Sequence, residues 1–200
     1  MIPVIAIAGP PGSGKTALID ALSRLTPAAA LFLDGFETPS DLMSPAALAA
    51  WLKAGARFDH FTVAGLAEAL AALKSDRPAR EPVSGRTVNP APLILFEMPF
   101  GRAHPPIAPL IDLLVWLDTP LDVALARNVL AWQAEGRPQA WLDVYMKAYM
   151  ATTRAVLSAQ KAQIAAAADL TLDGLAPPEQ AARKLLEYLQ SRRLLQTGTG

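Results

Sequence analysis

Residues 9–16 read Gly-Pro-Pro-Gly-Ser-Gly-Lys-Thr, which is the spacing of a phosphate-binding loop. Because glycines let the backbone curl around a polyphosphate, several N–H groups and the positive end of a following helix would point at the anion. The lysine would reach the β- and γ-phosphate oxygens, and the threonine hydroxyl would bind Mg²⁺. We therefore expect a nucleoside triphosphate with magnesium. The residues predicted to contact it here are Gly9, Pro10, Pro11, Gly12, Ser13, Gly14, Lys15, Thr16 and Ala17.

The segments on either side of the loop have the character that it requires. Residues 2–8 form an apolar run typical of a buried strand, and Leu18, Ala21, Leu22 and Leu25 then fall on one face of a helix. The alternative is a glycine- and proline-rich turn that ends in Gly-Lys-Thr by coincidence, but the strand and the helix argue against it. We take ATP as the nucleotide, although GTP fits equally well because no purine-reading motif is visible.

Short apolar runs recur along the chain and are separated by helical patterns. Near-continuous hydrophobic strands of this kind predict a mostly parallel five-stranded sheet covered on both faces, which is a three-layer α/β fold. The predicted strands are residues 4–8, 30–33, 93–96, 113–117 and 170–172. The predicted helices are residues 45–55, 63–70, 121–136, 138–167 and one that begins at Pro177 and Pro178.

Acidic residues follow three of these strands. Asp34, Glu97 and Asp118 come directly after the second, third and fourth strands, and ligands of open parallel sheets bind beyond the carboxyl ends of the strands. Because Mg²⁺ bound to phosphates usually takes a carboxylate as well, Thr16, Glu97 and Asp34 are the predicted metal ligands. Asp118 is instead predicted to be structural, since it lies at a helix start that favours negative charge.

A phosphoryl acceptor hydroxyl needs a base or an orienting acceptor, and Asp34 is the candidate for this catalytic role. The alternative for Asp34 is a plain Asp-Gly turn. Lys15 and Arg127 are the other predicted catalytic residues, because cations stabilise a transferring phosphoryl group. Arg127 and Arg137 are both predicted to contact the nucleotide from a small lid at about residues 127–138, although Arg137 alone fits a solvated helix end equally well.

An irregular region lies between the second and third predicted strands. Residues 75–92 hold four prolines and three arginines without an apolar period, which predicts a loop or lid over the substrate. We take Arg86 as its substrate-binding candidate, although spacing alone does not separate it from Arg77 and Arg80.

These motifs together resemble the uridine kinase branch of P-loop kinases, which is related to phosphoribulokinase and bacterial pantothenate kinase. The loop at 9–16 matches, Leu33-Asp34-Gly35-Phe36 is similar to the strand-two segment that ends in Asp-x-Phe-Tyr, and residues 95–100 are similar to the segment whose glutamate lies near Mg²⁺. Residues 57–61, Arg-Phe-Asp-His-Phe, resemble a segment whose aspartate contacts sugar hydroxyls. The resemblance implies a nucleoside or nucleotide kinase-like fold, with Asp59 and His60 at the substrate.

The chain also departs from the family pattern. The tyrosine and histidine that hold the pyrimidine in uridine kinases are replaced by residues 81–86, Glu-Pro-Val-Ser-Gly-Arg, and Arg127 is followed by Asn128 rather than by a second arginine. We therefore expect ATP-dependent phosphoryl transfer to a hydroxyl of a small molecule, in a uridine kinase-like manner. The alternatives are a kinase for a pantothenate-, sugar- or glycerate-like alcohol, or a regulatory protein that binds or hydrolyses the nucleotide.

The bulk composition narrows the class of protein. The 200 residues, 52% of them hydrophobic, suit one domain at 1–190 followed by a frayed tail at 191–200. Eighteen basic residues balance eighteen acidic ones, so we expect neither nucleic acid nor a membrane as partner. A small-molecule acceptor is expected, and a second copy of the chain stays open as a partner.

The chain lacks cysteine, and its first strand leads straight into the loop instead of forming a signal peptide, so we expect it in the cytoplasm. The tryptophans at 51, 116, 132 and 141 are expected in the core.

Overall fold

A parallel five-stranded sheet forms the centre of the protein, with its strands in the order Ala29–Leu31, Ile94–Glu97, Val4–Ala8, Leu113–Asp118 and Leu170–Asp173. The computed structural model describes residues 1–36, 45–58 and 63–195. The strands are β1 (Val4–Ala8), β2 (Ala29–Leu31), β3 (Ala79–Arg80), β4 (Thr87–Val88), β5 (Ile94–Glu97), β6 (Leu113–Asp118) and β7 (Leu170–Asp173). The helices are α1 (Lys15–Leu25), α2 (Pro45–Lys53), α3 (Leu66–Lys74), α4 (Leu121–Ala134), α5 (Gln139–Ala148), α6 (Arg154–Ile164) and α7 (Pro178–Ser191).

Strand β1 lies in the middle of the sheet and pairs in parallel with β5 on one side and β6 on the other. All five of its residues are fully buried, which explains why it is apolar at successive positions rather than alternating. Its side chains divide between two cores. Val4, Ala6 and Ala8 belong to the core that includes residues of α2, α3 and α6, whereas Ile5 and Ile7 belong to the core made with α1 and α7. The predicted three-layer α/β fold is confirmed.

The predicted strands correspond to the observed ones with small differences at their ends. Strand β2 ends at Leu31, two residues earlier than predicted, and Leu33–Gly35 form a short 3-10 turn instead. The predicted helix at 138–167 is α5 and α6 joined by a single π-helical segment, Tyr149–Thr153, and followed by a 3-10 turn, Ala165–Ala167. The order of the elements is the same as predicted, but Asp34 lies in a turn and not at the end of a strand.

Residues 75–92 are more ordered than the sequence suggests. Strands β3 and β4 pair antiparallel within them, with Ala79 opposite Val88 and Arg80 opposite Thr87. Ala79 and Val88 are buried against the α2/α3/α6 core, and this pairing of two residues on each strand is too short to produce a visible apolar period.

Predictions that fall on residues 37–44, 59–62 and 196–200 lie outside the described residues, and these include Asp59, His60 and the end of the tail. Within the described ranges, the helices are too short or too polar to cross a membrane.

Candidate functional site

The phosphate-binding loop connects β1 to α1, which begins at Lys15. Gly12 has a φ of 77°, a conformation that side chains other than glycine rarely adopt. A Cβ atom at Gly12 would lie 2.1 Å from the carbonyl oxygen of Ala124 and 3.0 Å from Cγ of Asn128. The loop therefore lies directly against α4, and glycine is required at this position both by the backbone and by packing.

Lys15, Thr16 and Glu97 form a polar cluster where the loop meets the end of β5. The Lys15 Nζ atom donates to the carbonyl oxygen of Pro10 at 3.1 Å and lies 3.3 Å from Oε1 of Glu97. The Thr16 hydroxyl donates to the other carboxylate oxygen of Glu97 at 3.4 Å. The lysine is 7% exposed, so its ammonium group is held over the loop by buried contacts.

This cluster fits a magnesium site of the kind that depends on a nucleotide. Among the described residues, no group of three or more His, Asp or Glu side chains gathers to hold a metal by itself. Mg²⁺ characteristically uses one or two protein ligands and completes its shell with phosphate oxygens and water. The Thr16 hydroxyl and the Glu97 carboxylate are close enough to share such an ion, and their role as metal ligands, like that of Asp34, stays a prediction.

A cleft of about 600 Å³ opens above the loop and brings together most of the predicted site residues. Asp34, in the turn after β2, lines it together with Lys15, Thr16 and Glu97. The remaining lining residues are Gly9, Pro11, Gly12, Gly14, Ala17, Leu33, Pro99, Arg127, Asn128, Ala131 and Trp132. Two carboxylates, a lysine and a hydroxyl thus share one edge of the sheet, as expected for a parallel sheet with a ligand at its carboxyl end.

Asp34 is held by a turn that leans against the loop of the β3–β4 hairpin. The amide of Gly35 donates to the carbonyl oxygen of Phe32 at 3.0 Å. The amide of Val83, in the hairpin, donates to the carbonyl oxygen of Gly35 at 2.9 Å. A Cβ atom at Gly35 would lie 2.5 Å from Cδ of Glu81. The turn therefore packs tightly on Glu81, and its position depends on that side chain.

Glu81 is a buried carboxylate that the sequence analysis did not single out. It is 2% exposed and accepts hydrogen bonds from the Ser84 hydroxyl at 2.6 Å and from Arg86 at 3.0 Å (Nε) and 2.5 Å (Nη2). Burial by itself would raise the pKa of Glu81, but the bonds from Arg86 and Ser84 outweigh burial and lower it. Its only sequence signal is the Glu-x-x-Ser-x-Arg spacing within a loop.

Arg86, predicted to bind substrate, is engaged elsewhere. Its guanidinium group pairs with Glu81 and also donates to the carbonyl oxygen of Ala30 in β2 at 2.7 Å, and its contact with Glu81 raises its pKa. The residues that line the cleft do not include it. In this structure it joins the hairpin to the sheet, so a role at the substrate stays a prediction.

Arg127 extends from α4 across the base of the loop. Its Nη1 atom donates to the carbonyl oxygen of Gly174 at 2.9 Å and approaches that of Ser13 at 3.5 Å. It also borders a second cavity of about 300 Å³, whose walls are mostly apolar. That cavity is lined by Ser13, Gly14, Ala17, Leu18, Leu117, Arg127, Gly174, Ala176, Pro178 and Ala181. Arg127 thus lies between the cleft and an apolar cavity of suitable size for a flat ring.

Arg137 and Asp118 have other partners. The guanidinium of Arg137 lies 5.1 Å from the ring centre of Trp141, and its Nε atom lies 3.6 Å from Glu135. Arg137 does not line either cavity, so its contact with the nucleotide stays a prediction.

The Asp118 carboxylate lies 2.6 Å from Nζ of Lys161 and accepts a hydrogen bond from the Trp116 indole at 3.2 Å. The bond from Lys161 is the main cause of its lowered pKa. These contacts support the predicted structural role of Asp118.

The tryptophans divide into two pairs. Trp51 and Trp116 are buried in the core as predicted. For Trp132 and Trp141 the prediction is wrong, because Trp132 lines the cleft and Trp141 is 38% exposed. The apolar residues of α4 and α5 lie on several faces of these helices, and Leu130 is 65% exposed, so an apolar sequence pattern does not identify a buried face here.

The comparisons with known proteins bear on the fold. No protein-family model and no curated protein matches the sequence. Among solved structures, the chain is similar to shikimate kinase from Acinetobacter baumannii in complex with shikimate, with a TM-score of 0.54, 19% identity and coverage of 97% of this chain and 96% of that one. It is also similar to an unliganded sugar kinase from a Janibacter species, with a TM-score of 0.54, 15% identity and coverage of 98% and 100%. The chain therefore has the α/β fold of these small-molecule kinases over 97–98% of its length.

Proposed function

We propose that this protein transfers the γ-phosphoryl group of ATP to a hydroxyl group of a small molecule. The observation that carries the proposal is the single cleft in which Lys15, Thr16, Glu97 and Asp34 meet at the carboxyl edge of the sheet. Two solved kinases of small alcohols share the fold, which is consistent with this chemistry. The narrower, uridine kinase-like assignment rests on the sequence resemblance alone.

The donor nucleotide fits the loop and the apolar cavity beside it. The amides of the loop would hold the β- and γ-phosphates, and Lys15 would exchange its contact with Glu97 for one with a phosphate oxygen. Thr16 and Glu97 would hold Mg²⁺, which neutralises phosphate charge when bound. The base would enter the apolar cavity, and Arg127 would lie between base and phosphates, where it can neutralise developing charge.

Asp34 would act on the acceptor. The acceptor oxygen forms a bond to the γ-phosphorus while the bond from that phosphorus to the bridging oxygen breaks, and the electrons of the broken bond leave with ADP. The hydroxyl proton passes to the Asp34 carboxylate and then to water. Because the turn that carries Asp34 is braced by the hairpin, this carboxylate would be held in place before the acceptor arrives.

The residues of the cleft indicate the type of reaction more directly than the identity of the acceptor alcohol. The kinases that share the fold support a non-nucleoside alcohol, since one was solved with shikimate and the other is a sugar kinase. The replacement of the pyrimidine-holding tyrosine and histidine at residues 81–86 points the same way, because the buried Glu81 pairs there with the more exposed Arg86.

The test is the rate of ADP formation with Mg²⁺ and ATP across a panel of alcohols, for the wild type, Asp34→Asn and the control Asp20→Asn. Asp20 is an exposed carboxylate on α1, so its change should leave the rate unaltered. We expect at least one alcohol to stimulate turnover, and Asp34→Asn to reduce that stimulation by about a hundredfold or more. Slow ATP hydrolysis that no alcohol stimulates and that Asp34→Asn leaves unchanged would instead indicate a nucleotide-hydrolysing regulator.

A further inference from the structure

Trp132 brings an aromatic ring to the part of the cleft that lies beyond the phosphate loop. Asn128 packs over Gly12, and Trp132 lies on the same face of α4 one turn, or about 6 Å, further along. Asp34, Glu97 and Trp132 line the cleft, whereas none of the three lines the apolar cavity assigned to the base. Trp132 therefore shares the cleft with Asp34 and lies outside the cavity assigned to the base.

The Trp132 ring is fixed by other rings rather than by the protein core. It packs edge-on against Trp141, with ring centres 5.1 Å apart, and against Tyr145 at 4.5 Å. Trp141 and Tyr145 stack on each other at 5.8 Å, and the Arg137 guanidinium covers Trp141. An aromatic cluster with this much support at the rim of a cleft, on two helices that are otherwise largely exposed, is better explained by a contact than by core packing.

The charges in the cleft restrict what part of an acceptor it can hold. Among the described residues of its lining, the cations are Lys15 and Arg127, and both are assigned to the nucleotide. With Glu97 assigned to Mg²⁺, Asp34 is the remaining carboxylate among the described lining residues, and it would repel an anionic acceptor. The described lining thus offers an acceptor an aromatic ring and apolar side chains, Leu33, Pro99 and Ala131, in place of a partner for a carboxylate or a second phosphate.

We infer that the acceptor is an uncharged alcohol that carries a planar ring, and that this ring stacks on Trp132 while its hydroxyl meets Asp34. The inference rests on the proposed function and deepens it. A ring of this kind can stack on an indole whatever its substituents, which gives affinity without a dedicated set of hydrogen bonds. It also separates this site from one for an acidic, non-aromatic acceptor such as shikimate.

The test compares two classes of alcohol in the same assay of ADP formation. The planar-ring probes are uridine, benzyl alcohol and pyridoxine, and the non-aromatic probes are shikimate, glucose and glycerate. We expect the best kcat/KM to belong to a planar-ring alcohol. Trp132→Leu should raise the KM for that alcohol about tenfold or more, while Trp132→Phe keeps it within about threefold and the KM for ATP stays unchanged in both. Leu130→Ala, an exposed apolar position on the same helix, is the matched control.

The outcomes separate this inference from the proposed function. If a non-aromatic alcohol is the best acceptor, or if Trp132→Leu leaves the acceptor KM within twofold, the planar-ring inference is wrong while phosphoryl transfer stands. If no alcohol of either class stimulates turnover and Asp34→Asn leaves hydrolysis unchanged, the proposed function fails and takes this inference with it. Circular dichroism of each variant checks that a lost rate does not reflect lost structure.

Discussion

The proposed donor side and the proposed acceptor side of the cleft are built in different ways. The donor side is residues 9–17, a continuous segment in which backbone amides, a lysine and a hydroxyl follow one another in the chain. The proposed acceptor side consists of the turn at Leu33–Gly35 and Trp132, which come from distant parts of the chain; the β3–β4 hairpin packs behind that turn, and the rings of α5 pack against Trp132. A motif of consecutive residues can keep the same chemistry in many proteins. A site that is assembled from side chains of distant segments is specific to one protein.

The largest effect should come from the donor side, through Lys15→Ala. Lys15 is buried between Pro10 and Glu97 and is the cation nearest to the phosphates in the proposed complex. We expect ATP turnover to fall by about a thousandfold, since one cation at a transferring phosphoryl group contributes on the order of 10²–10³ in rate or more. Steady-state kinetics measure this.

Lys184→Ala, at an exposed position on α7, is the control for Lys15→Ala. Thermal unfolding followed by circular dichroism should show that both variants stay folded. A Lys15→Ala rate within tenfold of the wild type would show that the loop lysine is not part of the chemistry and would remove the main contrast between the two sides.

Glu81→Gln tests how the acceptor side is held. The change leaves Arg86 without its charged partner and weakens the support behind the Asp34 turn, so we expect unfolding to become easier by about 2 kcal/mol at neutral pH. The acceptor-stimulated rate should fall. The KM for ATP should stay within about twofold, because among the described residues no hydrogen bond or ion pair joins the loop at 9–16 to this hairpin. Denaturant unfolding and the two KM values measure these effects.

The same variant has a pH signature. Because the pKa of Glu81 is lowered in the folded state, its carboxylate stabilises the fold above the ordinary value of 4.5, and that stabilisation is lost as the pH falls through the folded-state pKa. The stability difference between wild type and Glu81→Gln should therefore be largest near neutral pH and shrink below pH 4.5. Glu179→Gln, at an exposed surface pair with Arg24, should show little such change. A difference that is constant with pH would mean that Glu81 does not act through its charge.

The two sides also differ in how far the sequence predicted them. Val4–Ala8, the loop and Glu97 are fixed by apolar runs and by a motif whose order in the chain is its order in space, so the parallel sheet and the donor side followed from the residues. Glu81 was missed because its contacts with Phe32 and the Asp34 turn form only when the hairpin packs on the sheet, and because the local spacing to Arg86 is not a pattern that predicts burial. Trp132 was misassigned because the same apolar pattern describes a buried face and a cleft wall.

The smallest effect is expected from Arg137→Ala, which tests whether the predicted lid reaches the nucleotide. Arg137 is half exposed and contacts Glu135 and Trp141, and pairs of this kind contribute about 1 kcal/mol or less to stability. If the arginine acts only through those contacts, kcat should change less than threefold, and the acceptor KM should rise slightly because the ring that supports Trp132 becomes looser. If it instead closes onto the phosphates, kcat should fall about tenfold or more while the acceptor KM stays constant. The Arg137→Lys variant separates the two, because a lysine keeps the charge for a phosphate but covers the Trp141 ring less well. The split between kcat and acceptor KM therefore assigns Arg137 to the donor side or to the acceptor side, where its present contacts place it.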